Sequence, residues 1–183
     1  STSNIWDHWH WDPSKLAKGL CILDAQKLHV RCDDDGPSDW PTVLGNFCFD
    51  LPGIYQWTVR LKKSGKPNLY IGVAPRDHDL TLVCGETPFS YSLYTFDGDK
   101  CNGSKSSPFI DKDACKNASL IRVRVEVHSD ASTSLSYALG EEGEYTLAYD
   151  IKPNPDDKSL KKPLPLCPCV TLGLDGLEVE IIR

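Results

Sequence analysis

The seven residues Ile121-Arg122-Val123-Arg124-Val125-Glu126-Val127 alternate strictly between β-branched and charged side chains. Side chains along a strand point to opposite faces in turn, so a period of two gathers the four apolar groups on one face only when the chain is extended. The segment is therefore expected to be a strand with one face in the core and one in water. Gln56-Trp57-Thr58-Val59-Arg60-Leu61 repeats the pattern with Trp57, Val59 and Leu61 inward, and Tyr145 to Ile151 does so again. Shorter candidates are Lys27 to Cys32, Val43 to Phe49, Leu69 to Ala74, Tyr91 to Phe96, Leu135 to Leu139, Cys169 to Leu172 and Leu177 to Ile182. Turn-rich stretches separate them: Asp33 to Pro37, Lys62 to Pro67, Asp97-Gly98-Asp99, Gly140 to Gly143 and Pro153 to Asp157. Helix is left only Pro13 to Leu20 and Asp111 to Asn117. The expected fold class is all-β: an antiparallel sandwich whose two sheets bury their alternating faces against each other.

A chain of 183 residues is the size of one domain, and no linker or internal repeat divides it, so residues 1–183 are expected to form a single unit with residues 1–26 as a lead-in arm. Residues of the apolar set make up 40% and charged residues 25%, with no apolar run near the roughly 18 residues that span a bilayer, so no membrane insertion is expected. Twenty basic against 26 acidic residues give a net charge of -6, which argues against nucleic acid as a partner, because a phosphate-binding surface needs a basic stripe. The chain opens Ser1-Thr2-Ser3-Asn4, and no basic segment leads into an apolar one there, so a targeting signal is expected to be absent or removed.

The eight cysteines (Cys21, Cys32, Cys48, Cys84, Cys101, Cys115, Cys167 and Cys169) are too sparse for a disulfide scaffold, and several fall inside strand-like runs where a thiol behaves as a small hydrophobe. Buried free thiols in a cytoplasmic protein are the expectation. Two sequons, Asn102-Gly103-Ser104 and Asn117-Ala118-Ser119, keep an extracellular alternative open. Cys167-Pro168-Cys169 lacks the second close pair that structural zinc sites use, so neither metal nor cofactor is expected.

At Gly53-Ile54-Tyr55-Gln56-Trp57-Thr58-Val59 the sequence begins to resemble the SPRY family, whose members carry a glycine, then a tyrosine or histidine, then Trp-x-Val or Trp-x-Ile on a strand. Ile71-Gly72-Val73-Ala74 resembles the family's I-G-V-A strand, Leu135-Ser136-Tyr137 its L-S-F segment, and Pro165 to Val170 its P-L-Y-P-x-V element. Trp11-Asp12-Pro13 with Leu20, Leu23 and Leu28 is similar to the PRY-like lead-in. The resemblance spans nearly the whole chain in order. It implies a bent, concanavalin-like jelly-roll sandwich and a non-enzymatic interaction module, often the substrate-reading part of a ubiquitin-ligase or signalling protein. The module is expected to be a monomeric piece of a larger chain.

Three segments stand out as candidate sites. Asp33, Asp34, Asp35 and Asp39 beside Trp40 combine charge steering with a stacking anchor, and such a loop would favour a basic protein or peptide ligand. Arg76, Asp77 and His78 directly follow the I-G-V-A strand, where a rigid scaffold places binding loops. In modules similar to this one, the loop after the first strand and the loop after I-G-V-A help form the peptide-binding face, which nominates both groups together with Tyr91. The third segment, Trp6-Asp7-His8-Trp9-His10-Trp11, fits either a metal or sugar site or, as preferred here, an arm docking its aromatics on a sheet. Glu141, Glu142 and Glu144 flank two glycines as a solvated hairpin would, and no nucleophile elbow or phosphate loop is present, so no catalytic residue is nominated. The rival to the interaction module is a secreted, carbohydrate-binding sandwich.

Overall fold

The computed structural model describes residues 8–33, 40–62, 68–152, 165–173 and 176–182. The alternating segment forms β10 (Leu120–Val127), which sits between β5 (Gly53–Lys62) and β11 (Thr133–Leu139) with Val123 opposite Trp57 on one side and Tyr137 on the other. Its residues Ile121, Val123 and Val125 are fully buried, and its charged residues lie on the outer face. β12 (Thr146–Ile151), β14 (Glu178–Ile182), β3 (His29–Cys32) and β2 (Leu20–Ile22) complete an antiparallel sheet in the order β12-β11-β10-β5-β14-β3-β2.

The facing sheet runs β1-β4-β13-β6-β7-β8-β9 and is also antiparallel. It consists of β1 (Trp11–Leu16), β4 (Thr42–Gly45), β13 (Leu166–Leu172), β6 (Leu69–Pro75), β7 (Tyr91–Tyr94), β8 (Asp99–Asn102) and β9 (Lys105–Pro108). Leu69, Ile71 and Val73 on β6, with Val170 and Leu172 on β13, meet Trp57, Val59 and Val123 in one core. Each such aliphatic side chain contributes roughly 1.5–3 kcal/mol by leaving water, so the two inner faces hold the sheets together without staples.

The outer face of β6 and β13 is not open to water. The chain after β6, residues 76–90, folds back over it. Thr42 donates its backbone N–H to the Leu80 carbonyl (3.2 Å) and its hydroxyl to that of Leu82 (2.9 Å). Cys84 donates its N–H to the Thr171 hydroxyl (3.0 Å), and Leu44, Ala74, Cys84 and Cys169 form a second small core beneath this cover. β13 is consequently buried at every residue, which is why it reads as an apolar run rather than an alternation.

One expectation needs correction. Pro13 to Leu20 is not a helix: Trp11–Leu16 is edge strand β1, paired to β4 with a register shift between Trp11 and Leu16. Asp12 bends the chain there by accepting from the Ser14 backbone N–H (2.9 Å) and hydroxyl (2.7 Å), and Pro13, lacking an N–H, is at home on an edge. The Asn102-Gly103-Ser104 segment is a hairpin turn between β8 and β9, with positive φ at Gly103 and Ser104. The helix expected at 111–117 is α1 (Lys112–Asn117), started by Asp111, whose carboxylate accepts from Ala114 N (3.0 Å). Trp9 and Trp11 are buried in the main core with their rings edge to face at 5.3 Å, so the arm docks as preferred above; Trp6 and the turn residues 34–37, 63–67 and 153–157 lie outside the described residues. Among the described residues no helix is long and apolar enough to cross a membrane.

Candidate functional site

Three strands of the facing sheet, β4, β6 and β13, end together. Pro75 closes β6 opposite Leu166, the first residue of β13, and Gly45 closes β4 opposite Trp11. Arg76 emerges at this rim and ties the elements to one another. Its Nη1 donates to the Gly45 carbonyl (2.8 Å), and its Nη2 pairs with Asp12 Oδ2 on β1. The Asp12 carboxylate is only 12% exposed and Arg76 39%, so the acid is the desolvated partner. Burial alone would push the Asp12 pKa up, but the hydrogen bonds from Ser14 and Arg76 outweigh it and hold the carboxyl below its ordinary value.

Beneath Arg76, Cys48 and Cys167 stand thiol to thiol with Sγ atoms 2.8 Å apart. The bond from Cys167 lowers the Cys48 pKa to about 7, with burial opposing and the Arg76 charge assisting, while the same bond and burial push Cys167 up. Cys48, Asp50, Pro75, Arg76, Asp77 and Pro165 line a pocket of about 340 Å³. Asp50 and Asp77 are exposed on its lip and enter no ion pair among the described residues, and Leu51 next to it is 64% exposed.

The residues nominated from sequence separate into different places. Arg76 and Asp77 are on this rim. His78 is not a surface residue: it is 6% exposed, its Nε2 donates to the Leu82 carbonyl (3.0 Å) and its Nδ1 has no partner among the described residues, so it braces the covering segment. Trp40 lies at the opposite end of β6, packed over Gly173 and against Tyr70 and Tyr94, with centroids 5.6 and 6.2 Å away. Asp33 is at that end too, bound by Arg31 Nε at 2.7 Å, and Asp34, Asp35 and Asp39 lie outside the described residues. From Leu69 to Pro75 a strand covers about 20 Å, so Asp33 and Trp40 do not share a face with the Arg76 rim. Tyr91 is half-buried on β7, its ring 5.1 Å from Tyr149 and its hydroxyl pKa raised by burial. Glu141, Glu142 and Glu144 are exposed on a turn whose Gly140 and Gly143 carbonyls accept from Arg122.

The sequence nominated none of Asp12, Asp50, Cys48 and Cys167 as a binding residue. The Asp-Pro at 12–13 is a signal for a bent edge, and only the pairing of β1 with β4 brings it to Arg76. Among the eight thiols, nothing in the spacing distinguishes two that are 119 residues apart.

The sequence matches no family model and no curated protein. The fold has solved likenesses. The PSpry domain of TRIM65 superposes with a TM-score of 0.67 at 15% identity, covering 96% of this chain and 92% of that one. The SPRY domain of human HERC1 gives 0.65 at 16% identity, over 94% and 97%, and a human SPRY domain gives 0.57 at 17%, over 89% and 96%.

Proposed function

We propose that this chain, a two-sheet sandwich with the SPRY fold, is a non-enzymatic interaction module that grips a short protein segment at the rim where β4, β6 and β13 end. The observation that carries this reading is the pocket of about 340 Å³ walled by Pro75, Pro165 and Cys48, with the exposed carboxylates of Asp50 and Asp77 on its lip, neither in an ion pair among the described residues. Asp12, Asp50 and Asp77 outnumber Arg76 here, so the rim is net acidic. A basic or amide-bearing side chain next to an apolar one fits that lip, with Leu51 as apolar neighbour. Opposite charge at an open rim speeds encounter and is screened by salt, so association should weaken as ionic strength rises.

In this reading the acidic loop with Asp33, Asp34, Asp35, Asp39 and Trp40 is a separate second patch, while His78 braces the covering segment and Tyr91 packs against Tyr149, neither meeting the ligand. The setting proposed is intracellular, as the recognition part of a ubiquitin-ligase or signalling protein. A secreted carbohydrate-binding role finds less support: the Asn102 amide already donates to the Pro88 and Ser90 carbonyls, both at 2.9 Å, and a glycan on that nitrogen would displace one of them.

The test is selection of binding peptides from a displayed library on the purified chain, followed by affinity measurement with Asp50→Ala/Asp77→Ala and Asp34→Ala/Asp35→Ala/Trp40→Ala variants. The first variant is expected to weaken the selected peptides at least tenfold with an unchanged melting temperature. Full affinity in that variant, with loss in the second, would move the site to the opposite end of the sandwich.

A further inference from the structure

The Phe49–Leu166 bridge is antiparallel, so the next residues along, Cys48 and Cys167, are directly opposite each other. Facing residues of antiparallel strands have Cα atoms about 4.5–5.5 Å apart, inside the roughly 4.4–6.8 Å that a disulfide requires. Their Sγ atoms are already 2.8 Å apart. Cys48 is half-buried and lines the rim pocket, so a small oxidant in that pocket reaches it, while Cys167 is buried behind it. Arg76, fixed by Gly45 and Asp12, brings its positive charge to both sulfurs. A reachable thiol, a resolving thiol and a cation thus converge in one place.

We propose that Cys48 and Cys167 form a reversible thiol–disulfide site, oxidised by hydrogen peroxide or a small organic peroxide entering through the rim pocket. The Cys48 thiolate attacks one peroxide oxygen; an S–O bond forms, the O–O bond breaks, and the departing hydroxide takes up a proton as water. The Cys167 sulfur then attacks Cys48 Sγ; the S–S bond forms, the S–O bond breaks, and the leaving hydroxide takes the Cys167 proton as a second water. With hydrogen peroxide the balance is two thiols and one peroxide to one disulfide and two waters, with two electrons passing from sulfur to oxygen. The bridge fixes the segment around Cys48 to β13 and withdraws the sulfur charge that Arg76 faces, so it changes the floor of the pocket.

The other thiols lack this arrangement. Burial pushes Cys101 up to about 11 and Cys115 up to about 12, Cys32 is buried, and Cys84 and Cys169, which also bond sulfur to sulfur, are both buried in the small core under residues 76–90 with neither thiol lining the rim pocket. Cys21 is half-exposed, with the Ile22 carbonyl 3.8 Å from its sulfur.

The experiment treats the reduced chain with hydrogen peroxide, alkylates the remaining thiols, digests without reduction and maps linked peptides by mass spectrometry. A peptide pair joining Cys48 to Cys167, lighter by two hydrogens and split by dithiothreitol, is the expected result. In Cys167→Ser, Cys48 should instead be trapped as its sulfenic acid by dimedone, and in Cys48→Ser, Cys167 should stay alkylatable. Cys48 and Cys167 both remaining free while other cysteines oxidise, or Cys48 bridging to a different thiol, would overturn the proposal. The readout is on sulfur alone, so it is independent of whether the rim binds a protein.

Discussion

Arg76 shows how one side chain can hold a rim in shape. It joins β1, β4 and the exit of β6, and without it the Asp12 carboxylate would be left desolvated with only Ser14 as partner. Removing one member of a half-buried pair leaves the other uncompensated, so Arg76→Ala should cost about 1–3 kcal/mol, less than for a fully buried pair because Arg76 is partly in water. The same pair makes a pH prediction. The folded-state pKa of Asp12 is depressed, so the pair's contribution is fully present above the ordinary carboxylate value of 3.8 and is lost as pH falls through the lower folded value. Asp12→Asn should therefore be less stable than the parent at neutral pH, and the gap should narrow in acid; denaturant midpoints from pH 7 down to pH 2 measure it. A constant gap across that range would detach Asp12 from the ion pair.

At the scale of elements, two glycines separate two kinds of constraint. A Cβ on Gly72 would lie 1.8 Å from the Tyr91 carbonyl oxygen, so Gly72→Ala must push β7 off β6 and should cost at least about 3 kcal/mol. A Cβ on Gly103 would have ample room, but φ is +62°, so Gly103→Ala should cost only the left-handed backbone penalty of about 1–2 kcal/mol. Urea midpoints of the two variants test the ranking. β10, β5 and β11 were legible in the sequence because each is wet on one face and so keeps its period of two. The edges were not. β1 reads as helix because Lys15, Leu16, Ala17 and Lys18 are helix formers, and pairing with β4 overrides that preference. β8 and β9 were hidden because the polar run Lys105-Ser106-Ser107-Pro108 is exposed throughout and carries no hydrophobic signal, leaving the Asn102-Gly103 turn as the only cue.

Over the whole molecule, the order of β4, β6 and β13 in one sheet decides what the rim contains, and that order joins residues far apart in sequence. The segment after I-G-V-A was readable as a loop at the end of a sheet, whereas Asp33 and Trp40 being at the other end of β6 was not, because local pattern says nothing about which strand ends coincide. The same long-range pairing gives the thiol pair its leverage. Cys48 and Cys167 are 119 residues apart, so a bridge between them closes a loop of most of the chain. On the chain-entropy account, a loop of that length raises stability by up to about 5 kcal/mol, and for a domain of this size each kcal/mol moves the melting temperature by roughly 2–4 °C. The peroxide-treated protein should therefore melt above the reduced form, by up to about 10–20 °C, and return to the lower value with dithiothreitol, while Cys48→Ser should show no such rise. A bridged form that melts no higher than the reduced one would mean that closing the loop distorts the rim by as much as it restrains the unfolded chain, and that the strands around Cys48 and Cys167 must shift for the bond to form.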